Sequence, residues 1–371
     1  MESTAPSAAP SDLGALRAAF PVLAATAYLN AGTDGPLPER ATAAAREELE
    51  RELTGGRTGA HFERRRELSE ALRSAYAGLL GCAVAETSLT SCTSEGISIV
   101  VGGLRLSPED EILTSDEEHP GLLGALQAAA ELDGVRVRMV PLAEMAAAVE
   151  PRTRLVACSH VSWMSGAMAP QELAGLGEEV PVLLDGAQGI GAVPVDVAAL
   201  GCAAYAGSGQ KWLCGPDGLG MLYVAPGLRE RLAVSRRGYQ NLENADAGLA
   251  ARLHPDGRRF NAYALSAEAM AMALAALEVL AAAGWERAQA RARDLAESLA
   301  ERLEAAGRAV TPRDPSTLVA FSSEDPVAER EALARRGVVV RDVPGRATLR
   351  ASVGAWNDEA DLDRLVDALG G

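Results

Sequence analysis

Val182-Leu183-Leu184-Asp185-Gly186-Ala187-Gln188 and, further on, Ala203-Ala204-Tyr205-Ala206-Gly207-Ser208-Gly209-Gln210-Lys211-Trp212 decide the fold. Each is a short apolar run that closes in small residues and a chemically active side chain. Working outward, comparable runs stand at 88–92, 111–114, 135–141, 155–159, 180–185, 203–206 and 218–224. Ala-rich stretches fit between several of them and predict helices, for example 121–132 and 142–149. Strand–helix alternation of this kind predicts an α/β fold with a mostly parallel sheet. Ligands of such sheets gather at the carboxyl ends of the strands, where the active side chains of both quoted stretches lie.

Beyond residue 265 the pattern changes. A long helical stretch over 266–306 breaks at Gly284, and strands at 317–321, 338–341 and 347–352 follow with helices at 327–336 and 358–369. This predicts an N-terminal arm and helix (1–25), a large domain (26–265), and a smaller C-terminal α+β domain (266–371) that includes the linking helix. Residues 235–256 carry Gly, Asn and Asp without periodicity and predict a long loop, a length at which loops are often functional. Residues 1–10 are small and polar and read as a lead before a helix capped by Ser11. They lack the basic start and apolar stretch of a secretion signal.

The 371-residue chain is 48% hydrophobic and 23% charged, as in soluble globular proteins. No apolar run approaches the ~20 residues that span a bilayer, and the chain reads as cytoplasmic. With 35 basic against 51 acidic residues, the net charge of −16 argues against nucleic acid or an anionic membrane as a partner. Cys82, Cys92, Cys158, Cys202 and Cys214 show no CxxC spacing, so neither disulfides nor a zinc site is expected.

Four clusters carry chemistry. Lys211, just past a strand end in a Gly-rich turn, is placed to enter a cleft, where burial lowers the pKa of an amine. It is also the only lysine in the chain, every other basic residue being arginine. A surface cation can be either type, but a guanidinium cannot form a Schiff base. Asp185 ends its strand as a carboxylate able to face the protonated ring nitrogen of pyridoxal phosphate and keep that ring electron-withdrawing. Gln188 could donate to the ring phenolate. Thr93 and Ser94, where a strand turns into a helix, offer amides and hydroxyls to a phosphate, with Ser208 and Gln210 as helpers. His119 follows another strand and could stack on such a ring and shuttle protons. Taken singly, each has a plainer reading: a turn lysine, an N-cap aspartate, an ordinary helix cap, a loop histidine. Their order along the chain is what makes the set specific.

That order resembles the class V aminotransferase family of fold-type I pyridoxal enzymes, which includes cysteine desulfurases, selenocysteine lyases and isopenicillin N epimerase. The likeness runs from Tyr28-Leu29-Asn30-Ala31-Gly32 to Leu349-Arg350-Ala351-Ser352. It implies pyridoxal 5′-phosphate held by Lys211, with Asp185 at the ring nitrogen, Gln188 at the ring oxygen, His119 on the ring face, and Thr93, Ser94 and Ser208 on the phosphate. Arg350 matches the arginine that binds the substrate carboxylate, a task suited to a bidentate guanidinium; Arg341 and Asn30 are further substrate-side candidates. The resemblance also implies a homodimer with active sites at the subunit interface.

Within the family, Leu113-Thr114-Ser115-Asp116-Glu117-Glu118-His119-Pro120-Gly121, Ser159-His160-Val161-Ser162-Trp163 and Gly257-Arg258-Arg259-Phe260 are most similar to the cysteine/cystine C–S lyases. Trp163 stands where desulfurases tend to have an asparagine and predicts a more apolar pocket. Gln210 replaces the usual histidine before the lysine, and Ala264 stands where a partner subunit usually supplies a threonine to the phosphate. No cysteine follows Cys214, so the persulfide-forming nucleophile of desulfurases is missing. These features imply β-elimination on a sulfur-containing amino acid. Transamination, epimerisation, cleavage of a sulfoxide conjugate in thiol-histidine biosynthesis, and a non-catalytic binding role are the alternatives.

Overall fold

The computed structural model describes residues 13–177 and 180–370; the expected lead at 1–10 and the Ser11 cap lie outside them. In chain order the strands are β1 (Ala27–Tyr28), β2 (Thr87–Thr90), β3 (Glu111–Ser115), β4 (Arg136–Val140), β5 (Thr153–Ser159), β6 (Val182–Asp185), β7 (Ala204–Ser208), β8 (Gly220–Val224), β9 (Leu318–Ser322), β10 (Val338–Val339), β11 (Arg341–Asp342) and β12 (Thr348–Ser352). Seven of them form one sheet in the order β2-β8-β7-β6-β5-β3-β4. All its neighbours pair in parallel except those of β8, which runs against both β2 and β7. β6, β7 and β8 are buried throughout, as expected of strands covered on both faces.

One apolar layer under this sheet gathers Leu72, Tyr76 and Leu80 with Leu113, Val156 and Leu184; the other sets Ile97, Val100 and Leu122 against Ile112, Leu183 and Leu222. The antiparallel sheet β11-β12-β9 packs with the helices Trp285–Ala305, Pro326–Arg335 and Glu359–Gly370 around a separate core. The large α/β body and the smaller C-terminal α+β region are therefore as anticipated. No single helix among the described residues is long and apolar enough to cross a membrane.

Some local expectations are corrected. Residues 142–149 give only a short 3-10 turn, Leu142–Glu144, as the segment lies against the large sheet with Leu142 and Met145 in its apolar layer. The strand expected at 338–341 is two pieces: β10 pairs with β1, while β11 joins β12. Residues 235–256 hold two 3-10 turns, Tyr239–Asn241 and Ala245–Ala250. Two long helices, Glu39–Gly55 and Gly59–Leu80, occupy a region to which the sequence patterns assign nothing.

Candidate active site

The carboxyl ends of β2, β3, β6 and β7 meet the C-terminal sheet around a cavity of ≈ 180 Å³. Its walls include Thr93, Ser94, His119, Asp185, Gln188, Ser208, Gln210, Lys211, Arg341 and Arg350. Every expected site residue but Asn30 is there. Asn30 stands one step back, its Oδ1 accepting from Thr33 Oγ1 at 2.8 Å.

Asp185 ends β6 and is 5% exposed, with Oδ1 accepting from the Ala187 amide at 2.9 Å. Burial raises its pKa, while Lys211 and that amide pull it back. Lys211 follows β7, the neighbouring strand. Burial pushes its amine down to about 8; Asp185 opposes the shift, and Arg350 adds to it. An amine in this range is partly free near neutrality, as a nucleophile and proton acceptor must be. The Lys211 backbone is held by the 30–38 turn: Gly35 N–H donates to Gln210 O at 2.7 Å, and a Cβ on Gly35 would stand 2.1 Å from Lys211 O.

Thr93 and Ser94 open the helix Thr93–Gly103, where amide groups lack intrahelical acceptors. Thr93 Oγ1, Ser208 Oγ and Gln210 Oε1 are buried without partners among the described residues. A phosphate would satisfy the two hydroxyls and the helix amides together, and an amide flip would let Gln210 donate as well. Orphaned polar atoms in a cavity that the Asp185 carboxylate also lines fit pyridoxal phosphate.

His119 Nδ1 accepts from the Gly121 amide at 3.0 Å, which fixes the ring. Burial first, then Lys211, Arg341 and Arg350, pushes its pKa down to about 4, so the ring is neutral. The adjacent Glu118 accepts from Ser159 N at 2.9 Å, Ser159 Oγ at 2.6 Å and Ser115 Oγ. Gln188 donates to Gly32 O at 2.7 Å and accepts from Trp212 Nε1 at 3.0 Å, leaving one amide hydrogen for a ring oxygen.

Arg350 is 1% exposed and has no acidic partner among the described residues. Nη1 donates to Trp163 O at 2.8 Å, Nη2 to Thr33 Oγ1 at 3.4 Å, and Nε has no partner. Burial, with Arg341 nearby, lowers its pKa to about 9. A buried guanidinium this poorly compensated calls for an anion. Thr33, which the sequence reading passed over, also accepts from Arg341 Nη1 at 3.3 Å and so links both arginines to Asn30. Its one signal was its place three residues after Asn30, in the same turn.

A sheet with one reversed strand, carrying an acid and a lysine at the ends of neighbouring strands, defines a fold-type I pyridoxal-phosphate enzyme. The chain belongs to the class V aminotransferase family, whose model, Aminotransferase class-V, matches residues 27–365. It is 31% identical over 384 residues to isopenicillin N epimerase of Streptomyces clavuligerus, covering 92% of this chain and 93% of that one. It is also 31% identical over 401 residues to a probable cysteine desulfurase of Pseudomonas aeruginosa, covering 95% and 96%. Among solved structures, the cystine C–S lyase C-DES in complex with its reaction product cysteine persulfide superposes with a TM-score of 0.90. That match has 27% identity and covers 95% of this chain and 99% of that one.

Proposed function

We propose that the chain is a C–S lyase that removes the sulfur substituent from the β-carbon of a cystine-type amino acid. The observation that carries this reading is the pair of guanidiniums, Arg350 and Arg341, on the cavity wall with no carboxylate in ion-pair contact among the described residues; Asp34 acts on Arg341 only from beyond that distance. A substrate with two carboxylates, as cystine has, would satisfy both.

In this reading Lys211 would hold the cofactor by its aldehyde, Asp185 would serve its ring nitrogen, and His119 its ring face. Thr93, Ser94, Ser208 and Gln210 hold the phosphate, and Gln188 reaches the ring oxygen. When bound, the cofactor withdraws electrons from the substrate α-carbon and makes its proton acidic. Arg350 orients the substrate by one carboxylate, Arg341 takes the other, and Asn30 steadies Thr33 behind them. The free amine of Lys211 would accept the α-proton. The Cβ–S bond then breaks with its electron pair on sulfur, so cystine releases cysteine persulfide. Water converts the three-carbon remainder to pyruvate and ammonia.

No step needs a protein thiol. Cys214 is fully buried, with its pKa raised far above the ordinary thiol value, and is unsuited to act as a persulfide carrier. A homodimer accompanies this reading through the family likeness, with the exposed Ala264 contributing no side-chain hydroxyl to a partner's phosphate. Pyruvate release from cystine and cysteine thioethers by the purified enzyme is the test, and a broad panel yielding none would sink the assignment. The likeness to an epimerase supports a second reading, inversion at Cα without loss of the side chain, which chiral analysis of the same mixtures would reveal.

A further inference from the structure

One orphaned polar atom on the cavity wall has no part in the reaction above: the indole Nε1 of Trp163. The residue is 8% exposed and lines the cavity, and Nε1 is buried with no hydrogen-bond partner among the described residues. The rest of Trp163 is pinned. Its carbonyl accepts from Arg350 Nη1 at 2.8 Å, and its ring lies edge-on to His119, with centroids 5.1 Å apart at 81°. By contrast, the indole N–H of Trp212 is satisfied by Gln188. Native proteins leave few buried donors unpaired. An indole N–H donates only, so its partner must be an acceptor that arrives from outside the chain.

We propose that Trp163 donates its indole N–H to an anionic oxygen of the molecules bound in the cavity and thereby helps to select them. This rests on the cavity being the cofactor and substrate site. Two oxygens have the required chemistry: the ring oxygen of the cofactor, and a substrate carboxylate on Arg350, whose guanidinium is anchored to the carbonyl of Trp163 itself. A methyl or thioether group at that point would leave the donor unsatisfied. A carboxylate oxygen accepts more strongly than an ester or amide carbonyl, so the indole favours acids over both.

The test uses nitrogen-15 labelling of the indoles in the full-length enzyme. Substituting Trp163, Trp212, Trp285 and Trp356 one at a time with Phe assigns the four resonances, by elimination if one variant does not fold. The Trp163 resonance is expected to move downfield and to exchange more slowly with solvent. If the shift comes when hydroxylamine-stripped enzyme is reloaded with pyridoxal phosphate, the acceptor is the cofactor. If it comes only on adding glutarate, a dicarboxylate without an amine, the acceptor is a carboxylate. In the second case Trp163→Phe should weaken glutarate binding by about tenfold, the weight of one hydrogen bond to a charged group. An indole resonance unmoved in both steps, in enzyme whose cofactor absorbance is normal, would overturn the proposal. Enzyme that never develops that absorbance would overturn the reading of the cavity as well.

Discussion

Arg341 and Arg350 stand directly opposite one another on adjacent antiparallel strands, and both reach the hydroxyl of Thr33. Like charges placed in this way repel. Their proximity is reflected in the lowered pKa of Arg350, for which burial is the main cause and Arg341 the second.

Replacing Arg350 with Met is therefore expected to separate binding from stability. Losing a charge-assisted carboxylate contact should reduce kcat/KM by about 100-fold. The melting temperature should hold or rise, because an uncompensated buried charge is removed. Arg341→Met should lower kcat/KM for cystine while sparing cysteine thioethers with a single carboxylate. Steady-state kinetics on both substrates, with thermal melts, checks these outcomes; equal losses on the two substrates would refute a second carboxylate site.

The cofactor-free enzyme should take up pyridoxal phosphate faster as pH rises through about 8, where the Lys211 amine loses its proton. The sign for stability follows from the same depression. The folded state holds the Lys211 proton less tightly than the unfolded chain, so cofactor-free protein should gain stability as pH rises from about 8 to 10.5. Lys211→Ala should abolish the visible absorbance and this contribution together. Stopped-flow absorbance and melts across that range provide the measurement.

Glu118 behaves in the opposite sense. Burial raises it from 4.5 to about 7, against the pull of its hydrogen bonds from Ser115 and Ser159. The folded state then keeps a proton that the unfolded chain gives up, so stability should fall as pH rises from 4.5 to about 7. Glu118→Gln should flatten that slope when melting temperatures of both proteins are compared across this window. An identical slope would show that Glu118 titrates normally.

Gly35→Ala places a methyl 2.1 Å from the backbone oxygen of Lys211, where no side chain can give way. Overpacking of this kind typically costs about 1–3 kcal/mol, and here it would also move the lysine. A lower melting temperature with weakened cofactor retention is expected, readable by melts and by absorbance after gel filtration. Gly59→Ala, with nothing near its added methyl, is the control.

The strands of the large sheet were legible because β6, β7 and β8 are buried and uninterrupted, so apolar runs marked them directly. Lys211 and Asp185 were legible because their chemistry sits at strand ends. What was hidden depends on contacts between distant segments. Thr33 owes its importance to Arg341 and Arg350, more than 300 residues away in sequence. The absence of an ion-paired carboxylate on those arginines among the described residues could be seen only once the surrounding side chains were in place. The two helices between Glu39 and Leu80 were obscured by charged residues that blur their apolar faces, as in the Glu- and Arg-rich run of Glu39–Gly55.

That Lys211 is the chain's single lysine gives it an experimental consequence as well as a chemical one. Reagents that acylate or reductively alkylate amines have one side chain to find, and it lies inside the cavity. The rate at which a small aldehyde labels that position, followed by peptide mass so that the α-amino group at the start of the chain is counted separately, would therefore report how freely solvent and solutes enter.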